Sequence, residues 1–248
     1  MLKLNYVSSG YHQTCVIHDI NLSFEQGTIY TIVGKNGCGK STLLKACAGL
    51  LPLFTGKIVL EGQDMNQYSS IGRAKKLTYL SQFRTLPNIT VARLLEHGRF
   101  PHLGHLGRLS LADRHCIDRI IDLMNLRDLC NKPLPALSGG ECQRVFLAMK
   151  LVQDTPILLL DEPTTYMDIE YQLFFLDLLT KLKEEGRTIV LVLHDLSQAL
   201  HYSDRIIVMD EGRVIQIGSP KEISASGILS AVFHVKIEDH NYPFHATE

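Results

Sequence analysis

The stretch GKNGCGKST at residues 34–42 constrains this chain more than any other, because it satisfies the pattern G-x-x-x-x-G-K-[ST] in the right surroundings. The β-branched run TIYTIVG at 28–34 leads into it, and a helical pattern opens at Lys40. A strand, a glycine loop and a helix in that order belong to an α/β domain built on a parallel sheet. Gly34, Gly37 and Gly39, with Asn36 and Cys38 between them, form a loop whose backbone N–H groups can turn toward one anion. The helix N-terminus adds the positive end of its dipole. Lys40 supplies a cation for β- and γ-phosphates, Ser41 a hydroxyl for Mg²⁺, and Thr42 a contact on the α-phosphate side.

Such a cradle needs a carboxylate at the end of another apolar strand. ILLLDEP at 157–163 provides it: Asp161 is placed to hold Mg²⁺, and Glu162 to orient and deprotonate a water beside the γ-phosphate. A third apolar run, IVLVLHD at 189–195, brings His194 to the same mouth, where it can bond the γ-phosphate.

The 248 residues are 45% hydrophobic and 21% charged, enough for one large domain or two small ones. Formal net charge is −1 and no basic run occurs, which argues against nucleic acid as a partner. The N-terminal MLKLNYVSSGYHQ lacks the apolar region of a signal peptide. The longest aliphatic runs fall well short of the ~20 residues of a membrane helix, so a membrane role is expected to come through a partner. Cys15, Cys38, Cys47, Cys116, Cys130 and Cys142 contain no CxxC pair and are expected to be reduced thiols. His97, His102 and His105 match no common zinc spacing and are expected in a loop.

Strands are expected at 2–7 and 20–24, joined by a turn-rich connector with Ser8, Ser9 and Gly10, and further strands at 58–62 and 77–81. From about 83 to 153 helical periodicity takes over in VARLLEHG and ADRHCIDRIIDLMNL, interrupted by FPHLGHLGRLS. This stretch reads as an inserted helical subdomain, flanked by a core of 1–82 and 154–248. Helices are expected near 169–184 and 196–201, then a hairpin-like pair of strands from RIIVMDEG and RVIQIGS. The tail from Gly227 to Glu248 has little pattern, although VFHV is apolar enough to pack on the core.

A second glycine loop, LSGGECQR at 137–144, heads a helix with Ser138 at the N-cap. Gly139 and Gly140 let backbone N–H groups approach an anion, yet the first loop already serves the phosphates from one side. Either this is an ordinary capped helix or it closes on a nucleotide held by another copy of the chain.

GKNGCGKST, Gln82 after LTYLS, LSGGECQR, ILLLDEP, TTYMD and VLHDL follow one another in the order found in ATP-binding-cassette (ABC) ATPases. Over nearly its whole length the chain resembles the nucleotide-binding subunit of an ABC transporter. The resemblance implies an α/β P-loop NTPase core, an N-terminal antiparallel β subdomain and an inserted α-helical subdomain, with ATP and Mg²⁺ as ligands. It implies that Tyr11 stacks on adenine and that Gln82 touches Mg²⁺ and the attacking water. Ser138, Gly139 and Gly140 correspond to the signature that contacts the γ-phosphate across the dimer, and Glu141 ends that signature. Glu162 corresponds to the catalytic glutamate, His194 to the switch histidine, and Asp168 to the aspartate that communicates between sites. Two departures stand out: Glu141 replaces the commoner glutamine, which bears on a ribose contact, and Met167 replaces leucine, conserving volume.

The insert EHGRFPHLGHLGRLSLAD and the run DEPTTYMDI are similar to the importer group for ferric siderophores, haem and cobalamin, with relatives that handle molybdate or tungstate. The implied assembly is a homodimer under integral-membrane permease subunits, at the cytoplasmic face of the membrane, with a substrate-binding protein reached only through the permease. The alternatives are a soluble ABC ATPase acting on DNA or ribosomes, and a P-loop kinase, which would leave LSGGE and His194 without a role.

Overall fold

A computed structural model describes residues 1–82, 86–103 and 107–233. Its elements run β1 (Leu2–Tyr11), β2 (Thr14–Phe24), β3 (Ile29–Gly34), α1 (Lys40–Cys47), β4 (Leu53–Leu60), β5 (Gln63–Asp64), α2 (Ser70–Ala74) and β6 (Leu77–Leu80). Next come α3 (Val91–Gly98), α4 (Leu111–Leu123), α5 (Gly139–Val152), β7 (Ile157–Asp161), α6 (Ile169–Glu184), β8 (Thr188–Val192) and α7 (Leu196–Tyr202). The described chain closes with β9 (Arg205–Asp210), β10 (Arg213–Gly218), α8 (Pro220–Ala225) and α9 (Ile228–Phe233).

A six-stranded sheet has the order β10-β9-β3-β8-β7-β6, parallel except for the β9–β10 hairpin. An antiparallel sheet of order β2-β1-β4-β5 lies against it. The central strands are buried along their whole length and mainly aliphatic because both their faces are covered, and successive side chains enter different cores. Leu158, Leu160, Ile189, Leu191, Ile206 and Val208 join a core with helices α3 to α7. Ile157, Leu159, Val190, Val192, Ile207 and Met209 join a second core with α1 and the antiparallel sheet. The strand ends are thereby clamped from both sides, and the loops that follow β3, β7 and β8 carry the functional groups. This is the α/β architecture expected from the sequence, with a parallel core sheet, an antiparallel sheet at its N-terminal side and helices between β6 and β7.

The connector expected at Ser8, Ser9 and Gly10 is instead part of β1, and β2 begins at Thr14. Both hydroxyls find partners within the fold: Ser9 Oγ donates to the Pro52 carbonyl at 2.8 Å, and Ser8 Oγ accepts from the Asp19 N–H at 3.1 Å. A Cβ on Gly10 would collide with the Thr14 carbonyl, so this glycine serves close strand approach. The turn falls at His12, whose φ is 53°. β4 likewise starts earlier than the apolar run suggests, at Leu53.

Between β6 and β7 the described residues are mainly helical. A buried ion pair organises this region: Arg99 Nε meets Asp113 Oδ1 at 2.7 Å and Arg99 Nη1 donates to the Val152 carbonyl at 3.0 Å. Asp113 also completes a capping box with Ser110 at the start of α4. Burial pushes the Asp113 carboxyl up, but the Ser110 hydroxyl and N–H and the Arg99 guanidinium together bring it down to about 2. Beyond β10 the described chain is helical as far as Phe233. α8 starts with a Ser219–Glu222 capping box, and Leu229 and Val232 of α9 are buried. Of VFHV, His234 and Val235 lie outside the described residues, as does His105. No helix among the described residues is long and apolar enough to cross a membrane.

Candidate functional site: a phosphate cradle and a separate signature cleft

β3 ends at Gly34, where a Cβ would collide with the Met209 carbonyl and come within 2.7 Å of Cys38 Sγ. Gly37 and Gly39 take φ of 82° and 102°, and Gly39 at the N-cap of α1 offers no side-chain cap. The first-turn N–H groups of α1 therefore lack the side-chain acceptor that caps α4, α5 and α6, an arrangement suited to an external anion. Lys40 is buried and its Nζ donates to the carbonyls of Gly34 (2.7 Å) and Lys35 (2.8 Å). Cys38 was expected in the cradle, but its side chain is buried and its N–H donates to the Lys35 carbonyl at 3.3 Å. Burial pushes its thiol up.

Asp161 ends β7 and is 1% exposed. Ser41 Oγ donates to its Oδ1 at 3.0 Å and Tyr79 OH to its Oδ2 at 3.2 Å. Burial raises the Asp161 carboxyl above its ordinary range, against the pull of these two hydrogen bonds. Beside it, Glu162 adopts a left-handed backbone (φ 50°), which turns its side chain toward two neighbours. Gln82 Nε2 donates to Glu162 Oε2 at 2.6 Å, and His194 Nε2 lies 2.6 Å from Oε1. Thr165 Oγ1 adds a longer contact to Oε2 at 3.5 Å. A cleft of about 330 Å³ is lined by Val16, Asn36, Gly37, Gly39, Lys40, Ser41, Thr42, Gln82, Glu162 and His194.

Tyr11 does not line this cleft. It ends β1, its hydroxyl accepts from Lys45 Nζ at 3.0 Å, and the same ammonium lies 5.3 Å from the ring centroid. Val16 takes a place on the wall that the sequence did not suggest, since a valine in a strand reads only as core. Thr165 and Tyr79 were also missed; Thr165 reaches a carboxylate three residues before it in the same segment, whereas Tyr79 reaches one on a strand distant in sequence.

The signature residues belong elsewhere. Ser138, Gly140 and Glu141 line a second cleft of about 380 Å³ with Arg144, Tyr166, Met167, Asp168 and Tyr171, and no residue is shared with the first. Gly139 packs nearby, where a Cβ would touch the Tyr166 side chain at 3.7 Å. Ser138 caps α5 as expected, and Glu141 completes the box: its Oε2 accepts the Ser138 N–H at 2.8 Å. The acid at this position therefore has a structural reason, because a carboxylate accepts the orphan N–H at a helix start and complements the dipole. Asp168 caps α6 in the same way, accepting from the Tyr171 N–H at 2.8 Å. Met167 is buried, as a volume-conserving replacement would be.

The strand-borne phosphate loop, the paired acids of β7 and the capped glycine loop of α5 define an ABC-type ATPase. Residues 17–165 match the family model described as ABC transporter, and the chain belongs to that family as an ATP-binding subunit, an ATPase coupled to transport. It is 40% identical to the iron(3+)-hydroxamate import ATP-binding protein of Bacillus subtilis (strain 168), over 96% of this chain and 89% of that one. It is 35% identical to the ferric enterobactin transport ATP-binding protein of Escherichia coli (strain K12), over 95% and 88% respectively. Among solved structures it is similar to a dimeric ATP-binding cassette in a post-hydrolysis state bound to ADP and Pi. That match has a TM-score of 0.79 at 28% identity and covers 89% of this chain and 99% of the other.

Proposed function

We propose that this chain powers import of a ferric siderophore, acting as a homodimer that closes on two ATP molecules beneath membrane permease subunits. The cargo assignment rests on the two import ATP-binding relatives described above; they lend no comparable support to molybdate or tungstate. The dimer assignment rests on one observation: within a single chain the phosphate loop and the signature line different clefts. A nucleotide held by one copy's phosphate loop can meet a signature only if a second copy presents it. The dimeric ADP-bound cassette supports the same arrangement.

In this reading Gly34 to Thr42 hold the phosphates, with Lys40 exchanging its two loop carbonyls for phosphate oxygens. Ser41 and Asp161 offer a hydroxyl and a buried carboxylate 3.0 Å apart, with Gln82 at the mouth, a hard-oxygen set that suits Mg²⁺. When bound there, Mg²⁺ would offset phosphate charge. Glu162 takes the proton from water as the water oxygen bonds to the γ-phosphorus and the bond to the ADP oxygen breaks. His194 leaves Glu162 for the γ-phosphate, which gives the closed state a contact the open state lacks. Ser138, Gly139 and Gly140 read the partner copy's phosphate, and Tyr11 supplies an aromatic face near the base. The insert 83–153 and Gln82 carry closure to a permease at the cytoplasmic face of the membrane, and a substrate-binding protein delivers cargo from the other side.

The test is ATPase activity of the chain reconstituted in liposomes with its permease and binding protein, against ferric siderophores, haem, cobalamin, molybdate and tungstate. Stimulation by a ferric siderophore, lost in Glu162→Gln, is the expected result. Stimulation by another ligand alone would overturn the cargo assignment.

A further inference from the structure

The segment from Glu162 to Asp168 has a foot in each cleft. Glu162 lines the phosphate cleft, whereas Tyr166, Met167 and Asp168 line the signature cleft. It has little regular structure of its own, and two non-glycine residues in it, Glu162 and Tyr166, have positive φ (50° and 69°). Such a conformation persists only where its surroundings hold it.

What holds it is a set of three carboxamides from three different helices. Gln143 of α5 is buried, and its Nε2 donates to the Pro163 carbonyl at 2.6 Å, one residue after Glu162. Gln172 of α6 donates through Nε2 to the Met167 carbonyl at 3.0 Å and the Thr164 carbonyl at 3.4 Å. Its Oε1 accepts from Gln198 Nε2 of α7 at 2.9 Å. Gln198 sits in the first turn of α7, where Asp195, the residue after His194, accepts its backbone N–H at 3.2 Å. The amide orientations follow from chemistry: a backbone carbonyl only accepts, so the NH₂ end of Gln172 must face Met167 and Thr164, and its oxygen must face Gln198.

We infer that Gln143, Gln172 and Gln198 form a relay that sets the position of Glu162 and His194 according to the state of the signature cleft. Gln143 lies in the helix whose N-terminus carries Ser138 and Gly140, so movement of α5 on meeting a nucleotide pulls on Pro163. Gln172 fixes the other end of the segment, and Gln198 passes the constraint to the helix behind His194. The three residues are positioning residues: each acts on the base through backbone carbonyls or a helix start. Carboxamides suit the task because each donates and accepts without titrating, and their hydrogen bonds break and reform with small movements.

This inference rests on the dimer proposed above, and the experiment separates the two. ATP titrations of the full chain reconstituted with its permease would compare wild type, Gln172→Met and Gln198→Met, each close in volume but without the amide. The relay predicts kcat lower by about tenfold in Gln172→Met, KM within about twofold, and a Hill coefficient falling toward 1. Gln198→Met, at a half-buried position, moves the same quantities less, with an unchanged melting temperature. A cooperative wild type with both variants matching it in kcat and Hill coefficient would overturn the relay alone. So would a fall in activity that tracks lost melting temperature while cooperativity stays intact. Non-cooperative wild-type hydrolysis, with Glu162→Gln remaining monomeric in ATP, would overturn the dimer reading and the relay together.

Discussion

His194 Nε2 and Glu162 Oε1 lie 2.6 Å apart, while Gln82 Nε2 donates to the other oxygen of the same carboxylate at 2.6 Å. Gln82 therefore brings a hydrogen to one oxygen while the His194 ring nitrogen faces the other. The group assigned as base is therefore engaged on both oxygens by the two residues assigned to sense phosphate and water. Its readiness depends on where those two side chains go when nucleotide arrives.

Glu162→Gln keeps the shape and one accepting oxygen but replaces the other with an NH₂ group and removes the basic carboxylate. ATP binding should persist, turnover should fall by about 10²–10⁴-fold, and a stable dimer should accumulate in ATP. Steady-state hydrolysis and size-exclusion chromatography with ATP check this; unchanged hydrolysis would remove Glu162 from the role of base.

Ser138→Arg places a long cation at the start of α5, in the signature cleft and outside the phosphate cleft. Dimer formation should be lost while nucleotide affinity of the single chain stays within about threefold of wild type. Equilibrium binding with a fluorescent nucleotide decides it. Loss of binding by the single chain would show that the signature serves its own chain's nucleotide.

The Arg99–Asp113 pair gives a pH-dependent stability. The folded Asp113 carboxyl sits at about 2, below an unfolded value near 3.9. The stabilisation is therefore fully present above about pH 4 and is lost as pH falls toward 2, by about 2 kcal/mol. Asp113→Ala leaves a buried guanidinium without its partner and should cost about 3–5 kcal/mol at neutral pH. Urea unfolding of both proteins between pH 2 and 7 should show curves that converge in acid; parallel curves would mean the pair does not carry the effect.

Gly10→Ala inserts a methyl group into the Thr14 carbonyl between β1 and β2. The strands must part or shift register, and the expected cost is about 1–3 kcal/mol. Thermal denaturation measures it, and an unchanged midpoint would show that the β1 end relaxes freely.

Much of the site was legible because its chemistry is local. GKNGCGKST carries its own strand, loop and helix start, and ILLLDEP and IVLVLHD place Asp161, Glu162 and His194 at strand ends by the hydrophobic run alone. Ser138 as an N-cap was equally local. Legibility failed where a residue's role depends on a distant partner. Ser8, Ser9 and Gly10 have turn composition, yet Pro52, Asp19 and Thr14 make them strand. Cys38 lies within the motif, but its side chain is buried and its N–H turned to Lys35. Val16 carries no signal in its own neighbourhood, and Tyr79 reaches Asp161 across 82 residues.

By itself the sequence determined the class of fold and the order of the chemical groups along it, because hydrophobic period, glycine conformation and helix capping act within a few residues. Only the tertiary structure decided which groups meet. Packing β7 between β6 and β8 brings Gln82, Glu162 and His194 to one place, although they are separated by up to 112 residues (194 − 82). The same packing puts the phosphate loop and the signature in different clefts of one chain. Contacts between residues far apart in the chain arise from burial of whole faces, and no short stretch of sequence encodes that by itself.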